Sequence, residues 1–433
     1  MYVNIINKKI AIYTLGCKVN QYESDSMMDM LKKDGASIVS FNEPADVYII
    51  NTCSVTNMAE RKSRQIIHRA KKQNSNAIIV AVGCYVQAAK EQLESDDNID
   101  IIIGNNRKKD ISRILDMYFA ENVVEDNVID INSPCEYENM TLIKPGEHTR
   151  AYVKVQDGCN NFCSYCIIPY TRGRIRSRNI EDVISEVKGL VKREIKEVVI
   201  TGINLSSYQD DKSTKLHDLL LEVCKIDGID RVRMGSLEPR VITKEFLDAI
   251  SSEEKICPHF HLSLQSACNE TLKRMNRKYT IEEYMQKCEL IRSYYDRPAI
   301  TTDIIVGFPG ETDDEFKITY DNLEKLNLYE MHIFKYSKRN GTVASTMPDQ
   351  VPDNIKEKRS NLLLDMTARH KREYEYSFSG EIDQVLVEEY IKKDNKIYLK
   401  GHTKRYILVE KDAGEYKQNE FEDKINTIIS VQL

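Results

Sequence analysis

The stretch DGCNNFCSYCIIPYTRGRIRSR (157–178) holds Cys159, Cys163 and Cys166, with three and then two residues between them. Three thiolates on one short loop can hold a metal. A structural zinc ion asks for four ligands, commonly from two cysteine pairs, and no second pair lies nearby. Zinc would need a distant fourth cysteine or histidine. Three unrelated buried cysteines are a further reading. A cuboidal four-iron cluster suits the loop better, because such clusters take several thiolates from one run. Three thiolates leave one iron open to a substrate or cofactor.

A second trio, Cys17, Cys53 and Cys84, is scattered in sequence. Each follows an apolar run that reads as a strand: KIAIYTL (9–15), DVYII (46–50) and AIIVAV (77–82). A fourth run, IDIII (99–103), ends in Gly104-Asn105. Helical stretches lie between, ESDSMMDMLKKDG (23–35) and AERKSRQIIHRAKKQ (59–73). This alternation predicts a parallel sheet with helices on its faces. The carboxyl ends of such strands form one ligand crevice, so the three cysteines should converge there.

Residues 120–148 are polar and irregular and read as a linker. Six strand signals follow, at 151–155, 197–201, 231–236, 259–264, 299–306 and 330–336, with helical stretches between. Six units fall short of the eight of a closed barrel, so a partial, open barrel is expected. After a charged helical stretch at 354–376, short strands with polar turns predict a small all-β barrel. The expected domains are 1–140, 145–370 and 371–433. No run of about 18 apolar residues suggests a membrane span. The start lacks a signal-peptide pattern, so a cytoplasmic protein is expected. Eleven cysteines then argue for metal ligands, reactive thiols or core residues rather than disulfides. Cys135, Cys224, Cys257, Cys268 and Cys288 are expected to hold no cluster.

The C-x3-C-x2-C loop, with Tyr165 before the third cysteine, resembles the signature of radical S-adenosylmethionine (SAM) enzymes. TLGCKVNQYES, NTCSVTNMAERKSRQ, VGCYVQ, RGRIRSR, HLSLQSACNETLKRMNRKYT and GFPGET extend the likeness to the radical SAM methylthiotransferase family over nearly the whole chain. The segment around GHTKRYILV (401–409) resembles a TRAM domain, an RNA-binding barrel. The resemblance implies an N-terminal parallel α/β domain, a central partial (βα)6 radical SAM barrel and a C-terminal TRAM barrel. It implies two four-iron four-sulfur (4Fe-4S) clusters. One, on Cys159, Cys163 and Cys166, cleaves SAM to methionine and a 5′-deoxyadenosyl radical. The other, on Cys17, Cys53 and Cys84, binds or supplies the inserted sulfur. A second SAM gives the methyl group, and a C–H bond becomes C–S–CH3. SAM contacts are expected from Tyr165, Gly202, Asn204, Ser236, Glu238, Gln265 and Gly307. Ala267 departs from the family pattern, where glycine is expected in the cavity wall.

Family members act on N6-threonylcarbamoyladenosine or N6-isopentenyladenosine in tRNA, or on a ribosomal-protein aspartate. The run KVNQYES after Cys17 most resembles the threonylcarbamoyladenosine branch, which modifies C2 of the base next to the anticodon. The resemblance also implies a sulfur donor and a flavodoxin- or ferredoxin-type electron donor. The net charge is −6, so RNA contact needs local basic patches. One expected set is Lys392, Lys400, Lys404 and Arg405, with tyrosines interleaved for stacking. Another is Arg172, Arg174, Arg176 and Arg178, alternating along one extended stretch. Residues 61–72 add six lysines and arginines on one helix. A non-catalytic iron–sulfur RNA-binding or sensor protein is the competing class, and it would cleave no SAM.

Overall fold

The computed structural model describes residues 3–142, 149–394, 396–414 and 422–433. The N-terminal strands are β1 (Lys9–Thr14), β2 (Ser37–Ile38), β3 (Val47–Thr52), β4 (Ile78–Gly83) and β5 (Ile101–Ile103). They form one parallel sheet in the order β2-β1-β3-β4-β5. The central strand β3 is buried along its whole length, as expected for a sheet covered on both faces. In register, Thr14 pairs with Asn51 and Thr52 with Gly83. The strands therefore end level, with Cys17, Cys53 and Cys84 just beyond them. Two features differ from expectation. A short edge strand, β2, is added, and the first helix spans Lys18–Lys33.

The barrel strands are β6 (Arg150–Asp157), β8 (Glu197–Gly202), β9 (Arg231–Met234), β10 (His259–His261), β11 (Ala299–Val306) and β12 (Glu330–Lys335). β7 (Arg176–Ser177) lies antiparallel on β6. The ladder runs β7-β6-β8-β9, then β10-β11-β12. The bridges Val232–Ile256 and Leu237–Leu262 join the two parts. All six expected strands are present in one open arc. Along each strand alternate residues part company. Val153, Val155, Val198, Ile200, Val232, Met234, Phe260, Ile300 and Ile304 enter the core under the helices. Arg150, Glu197, Arg233, His259, His261, Thr301, Asp303 and His332 take the other parity and give the lumen a polar lining.

The N-terminal domain fills the open side of this arc and touches both lips. At the β6 lip, Glu23 of the first helix meets Lys154 at 2.7 Å and Arg172 at 2.8 Å. At the β12 lip, Asn57 donates to the Lys338 carbonyl at 2.9 Å. Arg339 there donates to Asn57 Oδ1 at 2.8 Å and pairs with Glu60. Part of the segment expected as a linker is packed into this seam: Tyr137 donates to the Lys154 carbonyl and Tyr22 to that of Met140; its last residues, 143–148, lie outside the described ones.

The C-terminal strands are β13 (Ile382–Lys393), β14 (Lys396–Thr403), β15 (Leu408–Asp412) and β16 (Ile428–Gln432). They form an antiparallel half-barrel, ordered β15-β14-β13-β16, that caps the amino ends of the barrel strands. Arg231 donates to the carbonyls of His402 and Gln384, both at 2.8 Å. Tyr406 stacks on His259 and His402 at 5.1 and 4.5 Å, with Arg150 and Arg233 against its ring. Tyr406→Ala is expected to cost about 2–3 kcal/mol, from lost stacking and desolvated cation–π contact. A lowered denaturation midpoint would show it; an unchanged midpoint would mean that the cap contributes nothing to the barrel floor.

Candidate active site

Cys159, Cys163 and Cys166 lie on the loop after β6. Gly158 turns the chain into it at φ +73°, and a Cβ there would sit 1.9 Å from the Arg174 carbonyl oxygen. Only glycine fits. Gly158→Ala is expected to cost about 3 kcal/mol and to displace the cysteine loop. Thermal unfolding and iron content of the reconstituted protein would test this; wild-type values for both would refute it. Phe162 also has positive φ, and its carbonyl accepts from Asn276 Nδ2 at 2.9 Å.

The sulfurs have protein donors around them. Cys159 Sγ accepts from the Asn161 N–H at 3.4 Å and faces Asn204 Nδ2 at 3.7 Å. Cys163 Sγ accepts from Arg277 Nη1 at 3.3 Å. Arg277 also binds Glu238 at 3.0 Å and the Ser263 carbonyl at 3.0 Å. Beside Cys163 opens a cavity of about 280 Å³ whose walls include Asn204, Ser206, Glu238, Asn276 and Arg277. Asn204 Oδ1 is buried with no protein partner, an acceptor left for a ligand.

In the second trio, the Cys17 thiol faces Asn20 Oδ1 at 3.7 Å, and Cys84 Sγ accepts from Asn105 Nδ2 at 3.5 Å. Both asparagines reach the segment that follows the first cysteine loop. Asn20 Oδ1 accepts from Arg172 at 2.7 Å, and Asn105 donates to the Thr171 carbonyl at 2.7 Å. Hydrogen bonds thus tie the second trio's neighbours to Thr171 and Arg172, just past the first cysteine loop. Burial pushes the Cys53 thiol up to about 11 and Cys166 to about 12. Cys17 touches solvent within the crevice, yet the protein around it raises its thiol as well. Metal binding would replace these protons. Among the described residues the one set of three ligand atoms within 4.8 Å of one another is His261, Asp303 and His332. Each cysteine trio offers three thiolates, the donor set of a cluster with one iron left open.

The other expected residues divide. Tyr165 packs edge-on to Phe308 at 6.4 Å within the cysteine loop. Gly202, at the end of β8, lies against Gln156, where a Cβ would meet side-chain atoms at 2.9–3.0 Å. Ser236 is exposed and hydrogen-bonds Ser263 at 2.8 Å. Gln265 adopts φ +72° and pairs with Ile304. Gly307 instead packs on Lys356, where a Cβ would meet Cγ at 2.3 Å, and its N–H goes to Glu311. Its glycine is explained by helix packing. Ala267 is fully buried in the core, not in a cavity wall. Arg277 and Asn276 were not singled out from sequence, although both lie in the quoted run HLSLQSACNETLKRMNRKYT.

The expected basic RNA faces need correction. Arg172, Arg176 and Arg178 are buried. Their stretch runs along the seam between domains, where they neutralise buried carboxylates. Arg172 pairs with Glu23 and Asp157, Arg176 lies 3.8 Å from Asp157, and Arg178 pairs with Glu186. Arg174 alone is exposed, over the Phe162 ring at 4.7 Å. Lys404 donates to the Glu254 carbonyl at 2.8 Å, and Arg405 to those of Arg297 and Asp296. Both fasten the cap to the barrel. Lys400 pairs with Glu389. Lys392 is exposed, as are Arg61, Lys62 and Lys72 on the helix Asn57–Gln73.

An open six-stranded barrel with a three-cysteine loop at its rim is the architecture of radical SAM enzymes. The Radical SAM superfamily matches residues 153–323, and "Uncharacterized protein family UPF0004" matches residues 9–104. A radical SAM methyltransferase, TsrM from Kitasatospora setae, shares the fold with a TM-score of 0.57 at 14% identity, over 78% of this chain and 74% of that one. The cobalamin-dependent SAM radical enzyme OxsB does so at 0.52 and 13%, over 85% and 56%. Among curated relatives, "Threonylcarbamoyladenosine tRNA methylthiotransferase MtaB" of Aquifex aeolicus is 41% identical over 88% of this chain and 93% of its own. The MtaB protein of Bacillus subtilis is 37% identical over 98% and 93%. The "tRNA-2-methylthio-N(6)-dimethylallyladenosine synthase" of Thermoanaerobacter pseudethanolicus is 37% identical over 92% and 86%.

The chain belongs to the radical SAM tRNA methylthiotransferases. No helix among the described residues is long and apolar enough to cross a membrane.

Proposed function

We propose that this enzyme inserts a methylthio group at C2 of N6-threonylcarbamoyladenosine next to the anticodon of tRNA, using SAM and two 4Fe-4S clusters. The observation that supports the reading is that Asn20 and Asn105, beside Cys17 and Cys84, bond to the segment just after the Cys159–Cys166 loop, over a barrel with a polar lumen. A polar lumen suits a charged amino-acid arm better than a prenyl arm. The names of the relatives at 41% and 37% identity favour the same substrate.

Cys159, Cys163 and Cys166 would hold one cluster, and Cys17, Cys53 and Cys84 the other. When bound, these groups and SAM supply the carbon radical that breaks an unactivated C–H bond and the sulfur that replaces the hydrogen. The protein orients them. Glu238 offers its carboxylate to an ammonium, and Arg277 and Asn276 offer donors to a carboxylate, so the cavity beside Cys163 fits the methionine end of SAM. Tyr165, Gly202, Asn204, Ser236 and Gln265 surround the same rim. Arg174, Arg61, Lys62 and Lys72 are the exposed cations suited to RNA phosphates, and Lys392 extends them on the cap. An electron donor of flavodoxin or ferredoxin type and a sulfur donor complete the cycle.

The test is expression in a bacterium lacking its own threonylcarbamoyladenosine methylthiotransferase, followed by mass spectrometry of digested tRNA. The 2-methylthio derivative of threonylcarbamoyladenosine is expected. Its absence from cells holding iron-loaded protein would move the substrate to isopentenyladenosine or a ribosomal-protein aspartate.

A further inference from the structure

The lumen carries polar groups that neither cysteine site uses. His261, Asp303 and His332 come from three neighbouring strands, β10, β11 and β12. Strand register places His261 beside Thr301, and Asp303 beside His332. His261 Nδ1 lies 3.0 Å from Thr301 Oγ1, and its Nε2 lies 3.4 Å from Asp303. The His261 and His332 rings stack at 5.7 Å. Lys18, the residue after Cys17, faces this set from the N-terminal domain. Its ammonium lies within electrostatic range of Asp303 and Glu197, and of Arg150 and Arg233. Lys18 and His332 are exposed, while His261 and Asp303 are half-buried. The group is therefore open to a ligand, and it lies directly beyond a cysteine of the second trio.

We propose that Lys18, His261, Asp303 and His332 form the subsite that reads the threonylcarbamoyl arm of the base. This rests on the substrate reading above. The arm carries a carboxylate, a hydroxyl and urea N–H groups. Lys18 takes the carboxylate by a charge-assisted hydrogen bond. Asp303 repels that carboxylate and accepts from the hydroxyl or an N–H, so the two ends of the arm are sorted. The imidazoles donate or accept as the arm requires. An isopentenyl arm would offer these four groups no hydrogen-bonding partner. A site lined for polar partners disfavours an analogue that lacks them. The competing use of two imidazoles and a carboxylate is a divalent metal site.

The experiment compares binding of one tRNA with and without the threonylcarbamoyl group, using full-length, anaerobically reconstituted enzyme. Wild type, Lys18→Met, His332→Leu and Lys18→Arg are measured, with iron content as a control on the nearby cysteines. The modified tRNA is expected to bind wild type more tightly, by roughly 10–100-fold, the worth of one charge-assisted bond. Lys18→Met and His332→Leu should each lose most of that difference, and Lys18→Arg should recover it. A difference retained in both loss variants overturns the proposal. So does a stoichiometric divalent metal, lost in His332→Leu while tRNA discrimination persists. A wild type that makes no methylthio product from the modified tRNA fails the substrate reading, and the subsite with it. Product formation with unaltered discrimination in the variants sinks the subsite alone.

Discussion

Cys53→Ala is expected to go on cleaving SAM to 5′-deoxyadenosine while forming no methylthio nucleoside. Cys163→Ala is expected to do neither. The asymmetry follows from where the thiols sit. Cys163 lies on the rim loop beside the cavity suited to SAM, and Arg277 spans the two. Cys53 lies across the seam, in the core under the N-terminal sheet, and has no part in that cavity. The measurement is anaerobic turnover with reduced enzyme, scored by chromatography for 5′-deoxyadenosine and for product. Methylthio product from Cys53→Ala would remove the N-terminal trio from sulfur insertion. Loss of SAM cleavage in Cys53→Ala, with four irons still held by the other loop, would mean that the two sites do not act separately.

Glu23→Ala is expected to destabilise the whole chain by about 3–5 kcal/mol, because it strands buried charge. Glu23 is paired with Lys108 at 2.8 Å, Lys154 at 2.7 Å and Arg172 at 2.8 Å, all buried. Lys154 and Arg172 would then share Asp157, and Lys108 would keep only the Asn105 side-chain oxygen. The three cations hold Glu23 well below the usual carboxylate range in spite of its burial. Asp157 is likewise depressed, by Lys154, Arg172 and Arg176. Lys154 is raised to about 12, by Asp157 and Glu23. Depressed carboxylates stabilise the fold fully above their unfolded values, about 4, and lose that contribution as pH falls through the lower folded values. The raised lysine contributes fully below about 10.4 and loses its share as pH rises towards 12. The network's contribution should therefore be flat from about pH 5 to 10. Urea midpoints across that window test both points. A wild-type midpoint for Glu23→Ala would show that the seam does not hold the domains together.

The strands were legible because buried parallel strands are apolar runs closed by Gly, Asn or Cys. KIAIYTL, DVYII and AIIVAV have no other reading, and their ends placed the cysteines. The first helix was legible only from Glu23, although it begins at Lys18. Its buried side is polar, with Asn20, Glu23, Ser24, Asp25 and Ser26 all covered, so the apolar period that marks a helix is missing there. Arg172, Arg176 and Arg178 misled for the same reason. Charge in a sequence suggests water, and Glu23, which pairs with Arg172, stands 149 positions away; Asp157 and Glu186 are near in the chain, but their spacing does not announce the pairing. Arg277 was invisible as a sulfur neighbour, since its closeness to Cys163 exists only after the barrel has curved.

The two-lipped seat of the N-terminal domain also has a consequence in time. Asn57 and Lys338, which close the β12 lip, are 281 positions apart. At about 5–20 residues per second, the second contact surface emerges from the ribosome roughly 15–60 s after the first. Within that interval the N-terminal sheet can meet the β6 lip, already made at residues 154–172, but not the β12 lip. The seat of the N-terminal domain therefore closes in two stages, one lip well before the other.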